Sequence, residues 1–142
     1  MAPFLLMLLD TGFTVFHLLL TTFNVLGWIL PRTRRLHRWC VGITAGCWLT
    51  IGPLFYGTLG YCPLTDWHWQ IKEARGQIAL PHSFVTYVLN QIGIFPPPAL
   101  VDQVVGYVFA AVIAATLFMW WHDRSLPPPK GGYPEVRQNN VQ

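Results

Sequence analysis

PFLLMLLDTGFTVFHLLLTTFNVLGWIL, residues 3–30, decides the fold. Asp10 is its only formal charge. About 20 apolar residues suffice to cross the hydrocarbon core of a bilayer, so the stretch is read as a membrane helix. It does not read as a cleavable signal peptide. No basic n-region precedes it, Asp10 comes early, and the apolar run is too long. Within it, Asp10, Thr14, His17, Thr21 and Asn24 recur at steps of four and three. On a helix that spacing makes one polar seam. Polar groups facing lipid are costly, so the seam is expected to point into the bundle or toward another protein. Two roles are open to it. One is interhelical hydrogen bonding, at roughly 1 kcal/mol per contact. The other is a proton or ion path, or a ligand site centred on His17.

The whole composition agrees with a bilayer as solvent. Hydrophobic residues make up 53% and charged residues 11%, against roughly 25% charged in a soluble domain. A small soluble chain needs more charge than that to cover its surface. The net charge of +3 does not read as a nucleic-acid footprint, because Arg32, Arg34, Arg35 and Arg38 form one short run between two apolar stretches. That is the pattern of a cytoplasmic loop, and no nucleic-acid partner is expected.

Residues 39–60 and 100–121 are the second and third candidate spans. The fold class expected is an all-α membrane protein with three transmembrane helices and a short amphipathic interfacial segment. Residues 1–124 form the membrane domain, and 125–142, with Pro127-Pro128-Pro129 and Gly131-Gly132, a flexible tail. The outer loop, 61–99, carries two helix signals. Residues 66–75 read as a short helix with Thr65 as N-cap and Gly76 as stop. Between Pro81 and Pro96, the residues Phe84, Val85, Val88, Leu89 and Ile92 share one face, which suits a helix lying in the interface. Lys and Arg near the span ends put the 31–38 loop and the tail on the cytoplasmic side, with the N-terminus and the 61–99 loop outside. A four-span alternative would put the basic tail outside, which counts against it.

YCPLTDWHW, residues 61–69, sets a thiol, a carboxylate and an imidazole among aromatic rings. Its candidate residues are Cys62, Pro63, Thr65, Asp66, Trp67 and His68, joined by His82 and Asp102 at the outer ends of the chain's elements. Each residue has a structural task here: Pro63 stops the span, Thr65 caps, and Trp67 and Trp69 seat the loop at the headgroups. A Cys62–His68 nucleophilic pair lacks an orienting third group. A metal set of Cys62, Asp66, His68 and His82 has no recognised ligand spacing, so no metal is expected. His68 and His82 are expected near Asp10 and Asp102, a cluster of two carboxylates and two imidazoles at the outer mouth. No CxxC occurs, and Cys40 and Cys47 lie about 10 Å apart by helical rise, too far to bridge. A haem would need a second imidazole at membrane depth opposite His17, and the sequence has none. No cofactor is therefore expected, with haem or quinone kept as a redox alternative. Gly42 and Gly46, and Gly106, Ala110 and Ala114, have the small-residue spacing that lets helices approach closely, and a tight bundle is expected from them.

Cys62-Pro63-Leu64-Thr65-Asp66-Trp67, with Phe55-Tyr56-Gly57, Gly60-Tyr61, the segment from His17 to Leu26-Gly27-Trp28, and Arg35-Leu36-His37, resembles a family of small bacterial integral membrane proteins of unknown function. The resemblance covers about residues 10–121 and excludes the tail. It implies a few-helix protein of the bacterial inner membrane and brings no catalytic residue with it.

The function expected is a non-enzymatic subunit or accessory factor of a larger membrane assembly, partnered by lipid and by other membrane subunits or further copies of itself. The alternative is a small transporter or proton-conducting unit using Asp10, His17 and Asn24. The topology is directly testable: a membrane-impermeant thiol reagent added to intact spheroplasts should label Cys62 and miss Cys40. Labelling of Cys40 alone inverts the orientation.

Overall fold

The computed structural model describes residues 3–125. The elements are α1 (Pro3–Leu26), α2 (Arg34–Gly46) running straight into a π-helical segment (Cys47–Tyr56), α3 (Pro63–Ala74), α4 (Phe84–Gln91) and α5 (Pro98–Ser125). Three helices, Pro3–Leu26, Arg34–Tyr56 and Pro98–Ser125, are long and apolar enough to cross a membrane. There is no strand among the described residues. The protein is an all-α chain of the class its hydropathy implies. The expected tail, apart from Ser125, lies outside the described residues.

Several boundaries differ from the sequence reading. The second long helix starts at Arg34 rather than residue 39, so most of the basic run rides on its first turns. Those side chains have work there: Arg34 and Arg38 both pair with Asp123 of α5, at 3.4 and 3.5 Å. Pro53 lies inside the same helix. A proline in an α-helix removes a donor and collides with the carbonyl four residues back, and the wider π turn relieves that collision. The first helix ends at Leu26, where Thr33 Oγ1 donates to the Gly27 carbonyl at 2.6 Å and His37 Nε2 lies 2.9 Å from the Asn24 carbonyl. Carbonyls at a helix end need such partners. The third runs longer than expected at both ends, from Pro98 to Ser125.

Both helices expected between residues 61 and 99 form. α3 begins earlier than expected, with Pro63 in its first turn and Cys62, not Thr65, at the N-cap position. Proline suits a first turn because its missing N–H has no intrahelical partner there in any case. α4 starts at Ser83, whose hydroxyl accepts from the Thr86 amide at 3.2 Å. Glycines at positive φ, Gly76 and Gly93, follow the two helices.

The burial pattern is inverted relative to a soluble domain. Asp10, His17, Asn24, His37, His68, Lys72, Thr86 and Thr116 are buried, while among the described residues the only buried large hydrophobics are Val41, Phe84, Val101 and Val112. Leu54, Phe55, Leu59 and Tyr107 stand fully outward. Lipid is the only solvent in which that arrangement is cheap. The small-residue faces correct an expectation. A Cβ on Gly42, Gly46 or Gly106 would meet nothing within 4 Å, and Gly42, Gly46, Ala110 and Ala114 are exposed. These residues do not draw the bundle's own helices together.

Gly52 behaves differently. A Cβ there would run into the Thr58 carbonyl oxygen and come within 3.0 Å of the Tyr61 Cβ. Gly52→Ala should therefore lower stability by about 1–3 kcal/mol, the usual cost of overpacking a tight site. Gly42→Ala should leave the melting temperature in detergent unchanged or raise it, since alanine is the better helix former. Equal effects of the two substitutions would refute this account of the turn.

Candidate functional site

α1 carries Asp10 about four turns from Asn24, and α3 brings a matching face to it. His68, Lys72 and Arg75 recur on α3 at steps of four and three, the same spacing as the seam on α1. The Asp10 carboxylate accepts from His68 Nε2 at 2.7 Å, from Lys72 Nζ at 2.7 Å and from Arg75. Asp10, His68 and Lys72 are all buried. A lone carboxylate inside such a structure would be very costly, and two cations with good hydrogen bonds offset that cost. Thr14 lies alongside: its hydroxyl donates to the Asp10 carbonyl at 2.8 Å and sits 3.2 Å from His68 Nε2.

α4 closes over this cluster. Lys72 Nζ also donates to the Tyr87 hydroxyl at 2.9 Å and lies 4.4 Å from the centre of that ring. Trp69 packs edge-on against Tyr87, and its Nε1 donates to the Pro81 carbonyl at 2.8 Å. α3 and α4 thus form a helical cap fastened to α1 by charge.

Below the cap lies a cavity of about 630 Å³. Its polar lining comes from His17, Thr21 and Asn24 of α1, Thr44 of α2, and Cys62, Thr65, Asp66, His82 and Asp102. Its apolar and aromatic walls include Trp48, Trp69, Phe84 and Phe109. His17 lies with Nε2 3.8 Å from Cys62 Sγ and its ring stacked flat on Phe84, 3.9 Å between centres. Asn24 donates to Thr44 Oγ1 at 3.3 Å. Among the described residues, three buried side-chain polar atoms have no hydrogen-bond partner: His17 Nδ1, Asn24 Oδ1 and His68 Nδ1. Such atoms are uncommon in native structures, and each calls for a physical reason.

The sequence-derived residues are therefore distributed over two places. His68 meets Asp10, whereas His82 and Asp102 line the cavity and take no part in the Asp10 cluster. The expected four-residue grouping is split. Cys62 contacts His17 rather than His68. Asp66 accepts from Tyr61 and Gln70, each at 3.3 Å. Trp67 points outward, while Trp69 is drawn inward to Pro81. Among the described residues, no three His, Cys, Asp or Glu side chains converge as metal ligands, so Cys62, Asp66, His68 and His82 do not form a metal set. Lys72, Arg75 and Tyr87 escaped the sequence reading. The repeat of His68, Lys72 and Arg75 at the seam's own spacing was the signal for the first two.

Residues 7–121 match a family model described as "Protein of Unknown function (DUF2784)". The matched region contains the Asp10 cluster, the cap and the cavity lining. No curated protein and no solved structure matches the chain.

His68 yields a pH prediction. Burial, reinforced by the Lys72 ammonium, lowers its pKa from 6.5 to about 4. Asp10 already has two cations, so the neutral imidazole donating through Nε2 satisfies the carboxylate without a third charge. The folded chain then binds fewer protons at this site than the unfolded chain. This contribution to stability is complete above pH 6.5 and is lost as the pH falls toward about 4. Thermal unfolding in detergent across that window should show the loss, and His68→Asn should flatten it. An unchanged pH profile in the variant would exclude His68 as the source.

Proposed function

We propose that this chain, which belongs to that family of proteins of unknown function, is a non-enzymatic accessory subunit of a larger assembly in a bacterial inner membrane. The charge distribution supports an orientation with the N-terminus and the α3–α4 cap outside and the basic end of α2 in the cytoplasm. The observation that carries the subunit reading is the outward placing of the small residues. Gly42 and Gly46 on α2 face open space, flanked by exposed Trp39 and Ile43. A position that faces only lipid has no steric need for glycine, whereas a partner helix packed closely on that face does.

The seam on α1 supports the same reading over a conducting one. Asp10 and Thr14 are bound to α3, His17 contacts Cys62, and Asn24 holds Thr44 of α2. These are separate local contacts that fasten helices to one another. No cofactor is part of the proposal.

Purification of the full-length chain in mild detergent tests it. The expected result is a complex larger than the monomer, containing a second membrane chain. Gly42→Leu with Gly46→Leu should release the monomer without lowering its own melting temperature, because a Cβ at either position meets no described residue within 4 Å. A monodisperse wild-type monomer with no companion chain would overturn the proposal.

A further inference from the structure

The cavity beneath the cap has a chemistry of its own. Close packing normally leaves few voids larger than a water molecule. At about 630 Å³ this one is within the range of small-molecule sites. Val104 and Val108 of α5 line it and are also exposed, so it communicates with the flank of the bundle that lipid would occupy. An apolar molecule in the bilayer has a lateral way in.

The charged lining is one-sided. Asp66 and Asp102 contribute carboxylates, and among the described residues neither Lys nor Arg lines the cavity. Lys72 and Arg75 are committed to Asp10. Asp102 is exposed and makes no hydrogen bond or ion pair with another described residue. The same lining holds the rings of Tyr61, Trp69 and Phe84, and the Tyr61 hydroxyl donates to Asp66 at 3.3 Å. Aromatic faces and carboxylates together favour an organic cation and repel an anion of the same size. A second observation also points to a ligand. His17 and Asn24, each more than nine-tenths buried, belong to the lining and keep a polar atom without a partner.

We propose that this cavity binds a lipophilic organic cation, with Asp102 and Asp66 as counter-charges, Trp69 and Tyr61 as aromatic walls, and entry between α1 and α5. The body of the ligand occupies the apolar part lined by Trp48 and Phe109. The site is independent of the Gly42–Gly46 face, so it stands or falls apart from the assembly reading.

The test uses two probes of nearly equal size and opposite charge, tetraphenylphosphonium and tetraphenylborate, added to the full-length protein in an uncharged detergent. Equilibrium dialysis and quenching of tryptophan fluorescence report binding. Tetraphenylphosphonium should bind saturably, one per chain, and at least tenfold more tightly than tetraphenylborate. Asp102→Asn should weaken the cation about tenfold, while Asp102→Glu retains it. Val105→Trp, which fills the cavity from α5 and leaves both carboxylates present, should abolish binding at an unchanged melting temperature. Equal uptake of the two ions would overturn the proposal. So would cation binding that neither Asp102→Asn nor Val105→Trp alters, because that is partition into the micelle.

Discussion

The carboxylate of Asp10 constrains everything on one side of this molecule. It sits on a helix whose other surfaces face lipid, where an unpaired charge would be intolerable. Its partners must come from elsewhere in the chain, and α3 supplies three of them. That requirement sets the rotation of α3, because only the face carrying His68, Lys72 and Arg75 can serve. Removing one partner of a buried ion pair typically costs about 3–5 kcal/mol, since the remaining charge stays buried. The cap is held by that penalty more than by apolar contact. Once Lys72 is in place, its second hydrogen bond draws in Tyr87, and with it α4.

At the opposite end the same logic uses different groups. Asp123 of α5 takes Arg34 and Arg38, and His37 reaches the last carbonyls of α1. These pairs are partly exposed, so each contributes less than its buried counterpart at the cap. Polar contacts thus fasten α1 to α3 at the cap, and α2 to α1 and α5 at the opposite end. Between the fastenings, the inward residues of α5 do not fill the space, and the cavity is the result. In a soluble domain such a void would forgo apolar burial, the chief source of its stability. In a bilayer the helices are stable as helices, and their association relies on local packing and hydrogen bonds. A bundle tied at its ends is one solution to that condition.

The placing of the smallest residues follows from the same arrangement. Gly42, Gly46, Ala110 and Ala114 face outward, and among the described glycines only Gly27 and Gly52 sit where a side chain would collide with the protein itself. Close approach of backbones inside the chain occurs at the helix ends, near the turns. The long outward faces are free to meet lipid or another protein.

The residues alone determined the solvent, the helical class and the three spans, because hydrophobic length is a local property and needs no knowledge of neighbours. They also determined that Asp10, His17 and Asn24 share a face, and these are the three buried residues of α1. The shared apolar face and the flanking prolines made α4 legible for the same local reason. What the seam touches was decided only in three dimensions. Lys72 and Arg75 read as ordinary loop charges until α3 folds back on α1, and Cys62 meets His17 across a sequence separation of 45. Periodicity tells which residues of a helix look the same way. It does not tell which way that is, because the rotation of each helix is settled by its partners. The glycines of α2 show this most plainly. Their spacing is written in the sequence, but whether they face inward or outward depended on where α1 and α5 came to rest.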